Sequence, residues 1–203
     1  MTLEILSWAA VVLSLAASAI ILTNRDWRLS LGALTLQYFA AFWLITRHLP
    51  FVMGSAKLIT GWMVVAILGM TKLGLSAEME ENAPAFLPRG QRFRLILFTA
   101  VALAAAGATP RIEAALPGLG LQVIAGSLFL IGAGMIHLGA ASDVFNTILG
   151  LLTMMTGFEV LYAAIESSLL VTGLLAVANL GLGLSGAYLL MAGTVALESE
   201  ETL

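Results

Sequence analysis

Long apolar stretches follow one another along almost the whole chain, and they limit its possible folds more than any other feature of the sequence. A helix of about 20 apolar residues crosses the hydrocarbon core of a bilayer. Seven stretches reach or approach that length, at residues 3–23, 29–49, 51–73, 93–109, 119–140, 145–166 and 168–193. The sequence therefore predicts an all-α, polytopic transmembrane helix bundle of about seven spans.

The composition favours the same fold class. Of the 203 residues, 60% are hydrophobic and 10% are charged, whereas an ordinary soluble domain contains about 25% charged residues. The first apolar stretch begins Met-Thr-Leu-Glu and has no positively charged start. We interpret it as the first span, because a secretory signal peptide carries positive charge there and has a shorter apolar region.

One longer hydrophilic segment divides the chain. Residues 75–92 contain three glutamates, two prolines and two arginines. We predict a single membrane domain over residues 1–203, in which this segment is a cytoplasmic loop. It separates a three-span unit, 1–74, from a four-span unit, 93–203, which ends in a short acidic tail.

The fourth span is the weakest of the seven. Thr109, Pro110, Arg111 and Glu113 interrupt its apolar stretch, and proline removes a hydrogen bond from a helix interior. The segment either ends early, continues as a turn at the membrane interface, or spans fully over 93–116. The sequence leaves these alternatives open.

Basic residues in the short loops predict the orientation, since cytoplasmic loops carry an excess of lysine and arginine. With seven spans, six basic residues share one side of the membrane: Arg25, Arg28, Lys72, Arg89, Arg92 and Arg94. Only Arg47 and Arg111 lie on the other side. We therefore expect the N-terminus outside and the acidic C-terminal tail in the cytoplasm.

The last three spans are rich in small residues, which let membrane helices approach each other closely. They are Gly126, Gly132, Gly134, Gly139, Gly150, Gly157, Gly173, Gly181, Gly183, Ser185 and Gly186. Helix packing is the first interpretation, and a glycine-lined substrate path is the alternative.

Two ionisable residues lie well inside predicted spans, where a charge costs roughly 2.5–3.5 kcal/mol on insertion scales and indicates a function. Glu159 lies about seven residues from the outer end of the sixth span, and Lys57 about six residues into the third. Both are thus about 9–10 Å deep at 1.5 Å per residue. We predict that they form a buried charge pair or part of a proton or ion pathway. Alternatively, Lys57 snorkels to the interface and Glu159 is a neutral, hydrogen-bonded acid.

Three further residues are possible accessory groups of this pathway. Glu166 follows Glu159 by seven residues but also fits a solvated helix end, and Asp143 precedes the sixth span as a helix N-cap would. His137 lies near a predicted helix end, where snorkelling explains it equally well.

Other site classes are not predicted. The chain has no cysteine, and its two histidines lie far apart in the sequence, so we expect no metal site and no cofactor. Phosphate-binding loops, His-Glu-x-x-His helices and serine nucleophiles with a base partner are missing from the sequence, so we expect no catalytic residues. The net charge of −3, without a basic stripe, argues against nucleic-acid binding.

Two segments resemble a known group of membrane subunits. Residues 148–192 read ILGLLTMMTGFEVLYAAIESSLLVTGLLAVANLGLGLSGAYLLMA. This stretch resembles the paired helices of the small K-type subunit of respiratory complex I, the C subunit of multisubunit cation/proton antiporters and component E of hydrogenase-4. Gly157-Phe158-Glu159 is similar to the Gly-Leu-Glu that carries the membrane carboxylate in the complex I subunit. WRLSLG at 27–32, followed by Gln37, resembles the start of the second helix in the component E family.

The chain departs from the component E pattern at several positions. Where that family carries a glutamate and an aspartate in the last span, this chain has Thr172 and then Ala178 or Asn179. Lys57 and Glu159 lie one turn away from the lysine and the glutamate of the family.

The resemblance implies a membrane subunit that is not catalytic by itself, in the plasma (inner) membrane of a bacterium or archaeon. It implies a complex I-like or membrane-hydrogenase-like oxidoreductase assembly, in which the chain supports or contributes to proton or cation translocation beside antiporter-like subunits. Because the last-span carboxylates are missing, a scaffolding role is as plausible as a conducting one. The alternatives are a stand-alone small transporter or channel, and a membrane assembly or anchoring protein.

Overall fold

The computed structural model describes residues 2–24, 26–75 and 91–201, and it describes the side chains within these ranges except those of residues 91, 92 and 194–201. Every regular element in the described ranges is an α-helix: α1 (Thr2–Thr23), α2 (Trp27–Ile45), α3 (Phe51–Gly74), α4 (Gln91–Ala115), α5 (Leu121–Ala140), α6 (Val144–Ile165) and α7 (Leu169–Glu201). All seven are long and apolar enough to cross a membrane. The predicted all-α bundle of seven spans is confirmed, and the chain is a multi-pass membrane protein.

Local sequence explains where several helices begin. The carboxylate of Asp26 accepts a hydrogen bond from the backbone N–H of Arg28, 2.9 Å away, at the start of α2. Asp143 is the N-cap of α6, as its position predicts, and accepts from the N–H of Asn146 at 3.2 Å. Each cap satisfies a donor that lacks a partner within its own helix.

The fourth helix is longer than the apolar pattern indicates. It continues through Pro110 to Ala115, and its segment Phe93–Ala115 qualifies as a span. A proline costs the helix one backbone hydrogen bond, but membrane helices tolerate it where nearby hydroxyl groups bond the backbone. The Thr109 hydroxyl donates to the carbonyl of Ala105 at 2.8 Å, one residue before the Ala106 carbonyl that Pro110 leaves without its helical N–H donor. The predicted interruption therefore does not end the helix.

The helices divide into a central and a peripheral group. The most apolar windows of α1, α2, α5 and α6 are 44–61% buried within the chain, whereas those of α3, α4 and α7 are 17–28% buried. Helix α3 packs on α7, and α4 packs on α5. The peripheral helices thus leave most of their apolar surface for lipid or for another protein.

Helices from both predicted units pack together, as in the pairs α1–α5, α2–α6 and α3–α7. The described helices of the two predicted units therefore contact each other, and the prediction of a single membrane domain stays a prediction. The predicted loop at 75–92 lies outside the described residues over 76–90, so the division of the chain at this loop stays a prediction.

Two sets of side-chain contacts define the two ends of the bundle. At one end, the Arg94 guanidinium donates to the carbonyls of Leu22 and Ala140 at 3.5 and 3.3 Å. We call this the Arg94 end. At the other, the His48 end, the imidazole Nε2 of His48 lies 2.9 Å from the carbonyl oxygen of Leu119.

Glycines bring α5 and α6 into close contact. A Cβ atom added to Gly134 would lie 2.5 Å from the backbone nitrogen of Met154, and one added to Gly157 would lie 2.7 Å from the backbone nitrogen of Ile131. In contrast, added Cβ atoms at Gly139, Gly173 and Gly181 meet no atom within 4 Å. Helix packing therefore accounts for part of the predicted small-residue set.

Gly134→Ala is expected to destabilise the purified protein by about 1–3 kcal/mol, the usual cost of overpacking a tight contact. The new methyl group would meet backbone atoms of α6, which cannot move aside as a side chain does. Gly139→Ala is the matched control on the same helix and should be neutral or stabilising by up to about 1 kcal/mol, because alanine favours the helix. Melting temperatures in detergent test the difference, and equal values for the two variants would contradict it.

Candidate functional site

The centre of the candidate site is an ion pair between α3 and α6. The Lys57 ammonium contacts the carboxylate oxygen Oε1 of Glu159. Lys57 is 6% exposed and Glu159 is 4% exposed. The two side chains therefore meet inside the bundle, and Lys57 does not snorkel along its surface.

The backbone explains why these two side chains meet. Lys57 lies six residues after the start of α3, and Glu159 lies six residues before the end of α6. Both of those helix ends belong to the His48 end of the bundle. Six residues correspond to about 9 Å of helix, so the two groups lie at equal depth.

A third helix completes the site. The amide Nδ2 of Asn179, on α7, donates to Oε1 of Glu159 at 2.9 Å. Asn179 is buried, and its own Oδ1 has no hydrogen-bond partner among the described residues. The sequence interpretation noted Asn179 only as the replacement of a family carboxylate. The sequence did contain a signal for this contact: an amide side chain inside an apolar span needs a polar partner.

Helix α2 contributes an aromatic residue that the sequence interpretation missed. The Tyr38 ring packs on Gly61, where an added Cβ would lie 2.5 Å from the ring atom Cγ. Tyr38 is buried, and it interacts electrostatically with Glu159 and with the Thr156 hydroxyl. Gly61 lies about one turn after Lys57, so the missing side chain at this position lets the tyrosine ring pack on α3 close to the level of the ion pair.

A small cavity of about 10 Å³ adjoins the pair on its His48 side. Tyr162 and Thr172 line it together with the paired residues Lys57 and Glu159, and Leu49 lies at its edge towards the loop between α2 and α3. This volume is near the lower limit for one water molecule. The cavity thus lies between the charged groups and the nearer end of the bundle.

The accessory candidates lie apart from the pair. Glu166 is exposed and forms the C-cap of α6, where its N–H donates to the carbonyl of Tyr162 at 2.9 Å. Asp143 caps the opposite end of α6 and also accepts from the side chain of Asn146. A role for either residue in ion movement stays a prediction.

The side chain of His137 is buried. It does not snorkel to the interface, as its position near a helix end would have allowed. It is 5% exposed, and its ring lies beside Asn146 of α6. Its electrostatic neighbours are Arg94, Asp143 and Asn146, at the Arg94 end. Gly150 of α6 lies beside Leu138 of α5, so His137 lies level with the residue that follows Gly150. That level is about eight residues before Glu159, which corresponds to roughly 12 Å along α6.

This arrangement suits ion or proton movement better than it suits metal binding. Among the described side chains, those of residues 2–24, 26–75 and 93–193, no three histidine or acidic groups lie close enough together to hold a metal ion. A lysine and a carboxylate in contact can exchange a proton or neutralise each other, and a neighbouring charge changes the balance between these states.

Comparison with known proteins found no match for this chain among protein-family models, curated proteins or solved structures. The resemblance to hydrogenase-4 component E therefore stays a prediction.

Proposed function

We propose that the chain is a membrane subunit of a larger assembly, in which the Lys57–Glu159 pair takes part in moving protons or cations. The observation that carries this proposal is the burial of both charged groups at the junction of α3, α6 and α7. A buried ion pair gains little or no net stability, because removing the charges from water costs about as much as their attraction returns. Ionisable groups kept inside membrane spans mark ion pathways in many proteins.

For the assembly, we propose a complex I-like or membrane-hydrogenase-like oxidoreductase with antiporter-like subunits, in the plasma (inner) membrane of a bacterium or archaeon. The support is the resemblance of residues 148–192 and 27–37 to such subunits. The chain itself would not be catalytic. If Lys57 and Glu159 do not conduct, the same subunit acts as a scaffold beside a conducting neighbour.

The exposed side of α7 supports a role as a subunit. Gly173, Val177, Gly181 and Ser185 follow one another at every fourth position and are exposed, and three of the four are small. Small residues at this spacing allow another membrane helix to approach closely. A helix surface that contacts only lipid does not require small residues, so this surface favours contact with another helix.

The orientation also belongs to the proposal. Arg28, Lys72 and Arg94 lie at the ends of α2, α3 and α4 that form the Arg94 end. The excess of basic residues there favours the cytoplasmic side. The N-terminus is then outside, the C-terminus is in the cytoplasm, and the ion pair lies in the outer half of the bundle.

Purification in a gentle detergent tests the proposed assembly. We expect the affinity-tagged chain to be recovered with large multi-span partners, in a complex far above its own mass of 21.3 kDa. Gly181→Leu should release these partners, because the added side chain projects from the exposed side of α7. Gly107→Leu on α4 is the matched control, since an added Cβ meets no atom within 4 Å at either glycine.

Two results would separate the alternatives. Recovery of the wild-type chain alone and monodisperse would contradict the subunit proposal and favour a stand-alone transporter. Recovery of an equally stable complex from both glycine variants would keep the subunit but remove α7 as its docking surface.

A further inference from the structure

A large groove runs between α4 and α5, away from the ion pair. It encloses about 580 Å³, and its walls are almost entirely apolar. The lining includes Phe93, Leu97, Val101, Gly132, Met135 and Gly139. Since α4 is a peripheral helix, the groove lies where the bundle meets the surrounding lipid.

Arg94 lies at one end of this groove. It is half-buried and is the second residue of the apolar segment Phe93–Ala115, so it occupies the boundary of the membrane. Its guanidinium donates to two backbone carbonyls over long distances, 3.5 Å to Leu22 and 3.3 Å to Ala140. Carbonyl groups are uncharged, and a guanidinium has five N–H donors. Both of these acceptors are uncharged, so the mouth of the groove carries the positive charge of Arg94.

These features match the two parts of a lipid. We propose that the groove between α4 and α5 binds one anionic phospholipid, with an acyl chain along the apolar walls and the phosphate group on Arg94. Basic pockets between membrane helices on the cytoplasmic side bind anionic headgroups. The sequence places a further basic residue, Arg92, two positions before Arg94 on the same helix. A wholly apolar partner helix fits less well, because it would leave Arg94 without a complementary charge.

Native mass spectrometry of the full chain in detergent tests the proposal. The probes are phosphatidylglycerol and phosphatidylcholine with identical acyl chains. We expect one phosphatidylglycerol to remain bound, with an affinity about five-fold above that of phosphatidylcholine, the difference that one basic residue provides at a charged surface. Added inorganic phosphate should not displace it, since the acyl chain supplies much of the binding.

Three variants and one control separate the contribution of the headgroup from that of the acyl chain. Arg94→Gln should remove the preference for phosphatidylglycerol, whereas Arg94→Lys should keep it. Gly139→Leu should weaken the binding of both lipids by filling the groove, and its fold should persist because an added Cβ at Gly139 meets no atom within 4 Å. Arg111→Gln, an exposed arginine at the other end of α4, is the control and should bind as the wild type does.

Three results would overturn the proposal. They are equal affinity of the wild type for both lipids, unchanged lipid binding by Gly139→Leu, and displacement of phosphatidylglycerol by inorganic phosphate. Melting temperatures of the variants show whether a loss of lipid binding comes from unfolding. If Arg94→Gln does not fold, the results for Arg94→Lys and Gly139→Leu still decide whether the groove binds the anionic lipid.

Discussion

Lys57→Met is expected to lower the free energy of unfolding of the detergent-solubilised chain by about 3–5 kcal/mol, because it leaves one partner of a buried ion pair uncompensated. The carboxylate of Glu159 would keep the hydrogen bond from Asn179 but lose the adjacent positive charge. Methionine has nearly the length of lysine, so the change removes charge with little loss of packing. Equilibrium unfolding, followed by circular dichroism, measures the effect.

Two further variants make this result specific to the pair. The double variant Lys57→Met/Glu159→Met should recover most of the lost stability, because replacing both charges with apolar groups is often neutral or stabilising. Lys72→Met is the control on the same helix. Lys72 lies at the helix end with its ammonium 5.0 Å from the centre of the Phe145 ring, a contact that contributes about 0.5–1 kcal/mol when exposed. A double variant as unstable as Lys57→Met would contradict the account.

The number and positions of the helices follow from the sequence, because hydropathy and length alone decide whether a segment can span a bilayer. The sequence interpretation left the end of the fourth helix open. The apolar pattern stops at Thr109, but α4 continues to Ala115. Hydropathy alone does not register that a membrane helix can continue past a proline.

The sequence predicts how deep in the membrane the candidate site lies, but it does not predict which residues surround the site. Counting residues from the helix ends puts Lys57 and Glu159 at the same depth, because each residue of a helix adds the same rise. Asn179 and Tyr38 were not identified as neighbours, because the rotation of each helix is set by packing against the others. The contact of Tyr38 with Gly61 is one example, since only a glycine lets the ring approach so closely. The burial of His137 also depends on helix rotation.

Glu159→Gln is expected to abolish ion translocation by the intact assembly. Transport is compared at equal amounts of assembled complex, because the change also leaves the Lys57 ammonium without its charged partner. The amide keeps the size of the carboxylate and can still accept a hydrogen bond from Asn179. However, it cannot bind and release a proton at neutral pH, and it carries no charge to exchange with Lys57. Glu166→Gln is the matched control, because Glu166 lies on the same helix but is exposed at its end. This control should translocate ions as the wild type does.

Ion transport in inverted membrane vesicles that carry the intact assembly is the most direct test of the Lys57–Glu159 pair as a functional site. Transport would be followed with a pH-sensitive or cation-sensitive dye, and native gels would measure the amount of assembled complex. We predict no transport above background for Glu159→Gln and normal transport for Glu166→Gln, at equal amounts of complex. Normal transport by Glu159→Gln would contradict a conducting role and leave the chain as a scaffold.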